Sequence, residues 1–191
     1  MGIVEAVRSA YLGEAVMQID LEAFEVEYER WVEESLADYQ AGKMAEIVKK
    51  YPLIAPQDIP WTPYRGAPSN DTVAVLTTGG LYLKAGQSPF DTTSIHGDPS
   101  IRMLPKTVRE EEIGIAHAHF DHGLAERDIN VIFPVHRLLE LEGEGVIGSL
   151  SETLYSVSYV NNVAPLVKEV VPDLISRLER DGVDVLLLVP V

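Results

Sequence analysis

The chain has 191 residues, 46% of them hydrophobic, with no cysteine and a formal net charge of −15. That size allows one domain with a substantial core plus a helical extension, and the composition excludes a disordered or membrane-embedded chain. A surface this anionic repels phosphate backbones and anionic lipid, so neither nucleic acid nor membrane is an expected partner, and zero cysteines remove disulfides, thiolate catalysis and cysteine-ligated zinc from these residues.

The N-terminus, MGIVEAVRSAY, lacks a basic stretch followed by an apolar one, and Ala6 stands where a myristoylation signal needs Ser or Thr. The expected location is therefore the cytoplasm. Residues 1–50 form a helical arm: Ile19, Leu21, Phe24, Tyr28, Trp31, Val32 and Leu36 recur every three or four residues. They make one apolar stripe, while Glu22, Glu25, Glu29, Glu33 and Glu34 fall mostly on other faces. The stripe is expected to be core, with docking of a partner as the alternative. Gly42 breaks the pattern, and Met44, Ile47 and Val48 resume it in a short second helix. Residues 51–70, YPLIAPQDIPWTPYRGAPSN, contain five prolines and read as a connector anchored by Trp61 and Tyr64.

An α/β domain follows over residues 71–191. Thr72–Leu76 is a short apolar run suited to a strand buried on both faces, and it enters Thr77-Thr78-Gly79-Gly80. Small residues there let a ligand or a helix approach the backbone closely, or they simply make a tight turn. Residues 84–100 are loop. Ser100–Leu104, Glu112–His119 and Asn130–Phe133 are further expected strands. Pro134 opens a helix through Leu138, Leu139 and Leu141 that Gly143 or Gly145 ends. Val163–Arg180 is a long helix that Pro172 should kink or split, Asp181-Gly182 stops it, and Val183–Val189 is a final buried strand. Strands that are nearly all apolar and alternate with helices predict a mostly parallel, flavodoxin- or Rossmann-like sheet with helices on both faces.

Four of the five histidines lie in Ile113–His136, and three of them spell HxHxDH: His117, His119, Asp121, His122. On a strand, residues i and i+2 share a face, so His117 and His119 could converge on one metal ion, with Asp121 and His122 joining after a turn. As a bare pattern this resembles the first metal motif of the metallo-β-lactamase superfamily. The later histidine and glycine-rich loops of that superfamily are missing, since only 69 residues follow His122 and their one histidine is His136. The alternative is that the histidines are hydrogen-bonded residues at a strand end, with Asp121 and Asp128 as turn or cap residues.

Longer stretches carry a second resemblance: VAVLTTGGLYLKAGQSPFD (73–91), GDPSIRMLP (97–105), IAHAHFDHGLAERDINVIFPVHRL (115–138), EGVIGSL (144–150) and DGVDVLLLVPV (181–191). In this order they resemble the selenoprotein B family of glycine, sarcosine and betaine reductases, together with the D-proline reductase selenoprotein. The resemblance implies reductive cleavage of a C–N bond in a small amino-acid-like substrate, within a homo-oligomer or a reductase complex. It also implies a selenocysteine or cysteine in a short redox motif, which in the D-proline reductase type follows directly after the strand matching VDVLLLVPV. A thiolate or selenolate at a strand end that enters a helix gains a lowered pKa from the helix N-terminus.

The redox residue is therefore expected just after Val191, and the chain as given is expected to be inactive. Termination at a UGA codon that encodes selenocysteine in a longer product is the favoured account, and a natural redox-dead relative the other. An uncovered apolar patch around the last strand is expected either way. The ligand pocket is expected between the turn Thr77, Thr78, Gly79, Gly80 and the stretch His117, His119, Asp121, His122. The competing functions are a mononuclear metal enzyme using those histidines and Asp121, and a non-catalytic ligand-binding or partner subunit.

Overall fold

A computed structural model describes residues 20–54 and 64–191. Ile19, Trp61 and most of the proline-rich connector lie outside the described residues. The chain divides into two compact units, a helical one and an α/β one, with the boundary in the sequence near residue 61.

The helical unit contains α1 (Leu21–Gln40) and α2 (Met44–Lys50). Asp20 caps α1, its carboxylate accepting from the Ala23 N–H at 2.9 Å. Of the predicted stripe, Phe24, Tyr28 and Trp31 are buried, with Ile47 of α2, whose carbonyl accepts from the Trp31 indole at 2.9 Å. Leu36 is 58% exposed, so the stripe is only partly core.

The α/β unit is built around β1 (Thr72–Thr77). Along one edge β1 pairs in parallel with β5 (Ser149–Leu150) and β6 (Thr153–Ser156), and along the other with β7 (Val185–Val189). β3 (Arg102–Pro105) lies antiparallel outside β6. The sheet is thus mixed, with parallel pairing at its centre. A separate antiparallel ribbon joins β2 (Leu81–Leu83) to β4 (Ile113–Ile115).

Helices cover both faces, as alternation of apolar strands and helices requires. Val73 and Val75 point into the larger core with Phe133, Val135 and Leu138, the last two from α3 (Val135–Gly143). Ala74 points the other way, onto Leu174 and Leu178. Those two belong to α5 (Val171–Arg180), preceded by a short turn α4 (Val163–Pro165) and a π-helical turn over Leu166–Val170. Pro172 cannot donate an N–H, and it sits in the first turn of α5, where none is needed. The π turn absorbs the proline that was expected to split the helix.

Four expectations need correction. The strand predicted over Glu112–His119 ends at Ile115, which leaves the histidines in a turn region. Asn130–Phe133 holds a 3₁₀ turn, Ile129–Val131, because Asp128 caps the Asn130 N–H at 3.0 Å and pulls the backbone into a turn. The last strand is half-exposed rather than buried: Leu187 is 38% and Leu188 63% exposed. With Val191, 43% exposed, they supply the uncovered apolar residues expected there. β2, β5 and β6 were not anticipated at all.

Just before β1, the Tyr64 hydroxyl donates to Asp71, which holds its pKa up at about 12. Burial and the Asp71 and Asp184 charges push it the same way. A pKa raised in the folded state favours the neutral phenol, so this contribution to stability is present below about pH 10 and is lost as pH rises through about 12. In an absorbance titration at alkaline pH, Tyr64 should ionise well after the ordinary range, as should Tyr155, raised by burial, and Asp71→Ala should return only Tyr64 to that range.

Candidate functional site

β1, β6 and β7 run parallel, so their carboxyl ends lie on one rim of the sheet. The loop leaving β1 ties that rim together. Thr77 is fully buried, and its hydroxyl accepts from the Gly79 N–H at 3.0 Å. The Thr78 N–H donates to the Val189 carbonyl at 3.1 Å, and the Thr78 hydroxyl accepts from the Val191 N–H at 3.0 Å. Gly80 donates to the Val157 carbonyl at 3.0 Å and accepts from the Ala116 N–H at 2.8 Å. Gly80 has φ +66, and a Cβ there would run into the Ala116 carbonyl and come within 2.9 Å of the Ser158 hydroxyl. The small residues after β1 therefore admit another stretch of backbone, the one that opens the histidine segment.

The histidine segment continues from that contact. His117 is 8% exposed, and its Nδ1 accepts from the His119 N–H at 3.1 Å. A neutral imidazole that accepts at Nδ1 carries its proton on Nε2. His122 Nε2 lies 2.8 Å from the His117 carbonyl, which can only accept, so His122 also carries its proton on Nε2. Phe120 packs on both rings, at 5.0 Å from His117 and 4.6 Å from His122. His119 is exposed, and its ring lies 4.0 Å from that of Tyr159. Burial, with the neighbouring His119 and His122, lowers the His117 pKa.

These commitments bear on the metal reading. Among the described residues no group of three or more His, Asp or Glu is placed to hold an ion. The His117 and His119 rings stand 6.1 Å apart and nearly perpendicular, and one carboxylate oxygen of Asp121 accepts from the Gly123 N–H at 2.9 Å. Asp121 and Asp128 serve as turn residues, as the alternative reading held.

The expected residues divide. Gly80 and the histidine segment do meet, but through backbone. Thr77, Gly79 and Gly80 are buried, while Thr78, His119, Asp121 and His122 keep some exposure. A cavity of about 600 Å³ opens against the β2–β4 ribbon, and of the eight expected residues only His122 lines it. Tyr82, Lys84, Glu110, Glu111 and Glu126 supply its polar groups. Tyr82 lies directly over Gly114, in space that any side chain there would fill.

The stretch 156–162 was missed. The Ser156 hydroxyl accepts from the Leu81 N–H at 2.8 Å, and the Ser158 hydroxyl donates to the Ala116 carbonyl at 2.9 Å. Tyr159 donates to Asn161, which in turn donates to the Ile95 carbonyl at 2.8 Å. The available signal was a short apolar run, Leu154-Tyr155, passing into small polar residues, the same punctuation that follows β1.

A profile of the family described as glycine/sarcosine/betaine reductase selenoprotein B matches residues 43–190. The chain is 29% identical over 150 residues to the D-proline reductase subunit gamma of Acetoanaerobium sticklandii, covering 77% of this chain and 58% of that protein. It is 29% identical over 152 residues to a glycine reductase complex component B subunit gamma of Carboxydothermus hydrogenoformans, covering 76% of this chain and 34% of that one. A betaine reductase complex component B subunit beta of Peptoclostridium acidaminophilum is 32% identical over 121 residues, 61% of this chain and 27% of its own. The chain thus spans between about a quarter and three fifths of the length of these relatives. No solved structure gives a significant match.

Two measurements test this geometry. Gly80 and Gly86 both have positive φ, but only Gly80 faces a neighbour, so Gly80→Ala should destabilise the fold by at least about 2 kcal/mol and Gly86→Ala by about 1 kcal/mol in urea unfolding. Nitrogen NMR should find His117 and His122 as Nε2–H tautomers, with His117 protonating below 6.5. Because that pKa is depressed, the unfolded chain takes up the proton first. Stability should fall as pH drops below about 6.5, and His117→Gln should flatten the fall.

Proposed function

The chain belongs to the glycine/sarcosine/betaine reductase selenoprotein B family, and we propose on that footing that its α/β unit binds the substrate of a reductase acting on a C–N bond of an amino-acid-derived molecule. The observation that carries the reading is the rim at the carboxyl ends of β1, β6 and β7, where the Thr78–Gly80 loop meets the segment after β6 and, further along that segment, Tyr159 packs on His119 and donates to Asn161. Open sheets with parallel strands take ligands outside those ends. The rim holds donors and acceptors on a scaffold already tied by hydrogen bonds, which suits recognition of a small zwitterion.

The 191 residues contain no cysteine, so the reducing thiolate or selenolate comes from outside them, and these residues alone do not complete the reduction. Several relatives are named as subunits of reductase complexes. A complex-bound or oligomeric state for this chain fits the exposed Leu187, Leu188 and Val191 on and beside β7. No helix among the described residues is long and apolar enough to cross a membrane.

Equilibrium dialysis of the full chain against labelled glycine, sarcosine, betaine and D-proline tests the proposal. One of the four should bind saturably, and His119→Ala or Tyr159→Ala should weaken it by about tenfold or more, the loss of roughly 1.4 kcal/mol of contact. If none binds to a chain that circular dichroism shows to be folded, the rim is not a substrate site.

A further inference from the structure

His117 is fixed from several sides at once. Ala116, the residue before it, donates its N–H to the Gly80 carbonyl at 2.8 Å and accepts from the Ser158 hydroxyl at 2.9 Å. The His117 carbonyl accepts from the His122 ring at 2.8 Å, and His117 Nδ1 accepts from the His119 N–H at 3.1 Å. Phe120 packs against the ring at 5.0 Å. A ring held at its backbone, at Nδ1 and by an aromatic neighbour has one orientation and one tautomer, with the proton on Nε2.

That Nε2–H is the loose end. The residue is only 8% exposed, yet no described residue accepts from Nε2. Nor is the atom sealed in: among the described residues, the buried side-chain polar atom without a partner is the Ser35 hydroxyl. A histidine kept for structure alone would spend both ring nitrogens inside the fold, as buried polar groups do. His117 spends one and leaves the other within reach of a small acceptor from outside. The rings beside it belong to the rim. Tyr159 stands 6.2 Å away and His119 6.1 Å, both steeply inclined to it. One small zwitterion held against Tyr159 can therefore touch His117 as well.

Resting on the reading of the rim as a substrate site, we propose that His117 is the residue that recognises the substrate's carboxylate. Its fixed Nε2–H donates to a carboxylate oxygen and so sets which end of the molecule faces inward. An N–H needs a lone pair opposite it. A protonated or quaternary nitrogen has none, so of the two ends of a zwitterion only the carboxylate fits. Glycine, sarcosine, betaine and D-proline share that group and differ at nitrogen. Burial keeps the imidazole neutral, so it offers a hydrogen bond and keeps its proton. A donor already held in place loses little freedom when the ligand arrives. With the carboxylate turned toward this buried ring, the C–N bond is left on the open side, accessible to a redox group from outside these residues.

Two substitutions separate this role from a structural one. His117→Leu and His117→Gln both lose the Nδ1 acceptor, but the glutamine amide keeps an N–H near the place of Nε2. Equilibrium dialysis of the full chain uses labelled glycine, sarcosine, betaine and D-proline. His117→Leu should weaken the ligand that binds the parent about tenfold or more, while His117→Gln should stay within about threefold. Circular dichroism checks that both variants are folded. In the nitrogen-labelled parent, that ligand should move the His117 Nε2 resonance. Acetate, a carboxylate without the nitrogen, should move it the same way, and methylamine, a nitrogen without the carboxylate, should leave it in place at equal ionic strength. Should neither variant fold, this comparison on the parent decides alone. Suppose a ligand binds the parent but His117→Leu binds it equally, or His117→Gln is as weak as His117→Leu, or methylamine moves the resonance and acetate does not. Then the rim remains a substrate site and the role of His117 is overturned. If none of the four binds a folded parent, the rim reading falls and this assignment falls with it.

Discussion

The rim of the sheet depends on one close approach of backbone, Gly80 against Ala116. Because position 80 has no side chain, its N–H and carbonyl can reach Val157 and Ala116 at the same time. That single residue therefore joins the loop after β1, the segment after β6 and the start of the histidine turn. Thr78 extends the tie to β7 through Val189 and Val191. The backbone groups left over at the ends of three parallel strands are satisfied by one another and by the Ser156 and Ser158 hydroxyls. Side chains on the rim are thus held on a surface whose main chain has little freedom, the condition a binding site needs.

The same ties set what the histidines can do. His117 and His122 are the tied pair: one accepts from a backbone N–H, the other donates to a carbonyl, and aromatic rings close over both. His117 is held neutral by burial, and its hydrogen bond leaves only Nε2 for other work. His119 lends its backbone to that arrangement while its ring lies out on Tyr159. Three histidines within six residues therefore have different duties. Two shape the turn, and the third is presented to solvent beside a tyrosine. A metal site would need free ring nitrogens and carboxylates to converge, and among the described residues no group of three such ligands does so.

Much of the α/β unit was legible in the residues. β1 and β7 are continuous apolar runs, α3 starts after a proline, and Gly182 stops α5 at φ +67, so each had both a pattern and a boundary. The failures share a cause. β2, β5 and β6 span two to four residues, too short for alternation or periodicity to register, and they exist because β1 and β4 offer them partners. Asn130–Phe133 is as apolar as a strand but obeys its Asp128 cap. At the site, the glycine loop and the histidines were recognisable by composition, whereas Ser156, Ser158 and Tyr159 gain meaning only once β6 is placed beside β1. The long resemblance outperformed the six-residue histidine motif because it constrained many positions at once.

The absence of cysteine limits the chemistry more than the wealth of histidine enlarges it. Reductive cleavage of a C–N bond consumes two electrons and leaves a nitrogen that must be protonated. Imidazole, phenol, amide and hydroxyl groups can orient a zwitterion and move protons, but none of them supplies an electron pair at the potentials thiols and selenols reach. On the proposed reading, His119, Tyr159, Asn161 and Thr78 on the rim would serve the binding and proton-transfer half of such a reaction. On that reading the other half needs a redox group outside these 191 residues, in the same polypeptide or in a partner. The half-uncovered helical arm and the edge strand with Leu187 and Leu188 in water leave apolar surface that a further segment or a partner would gain by covering.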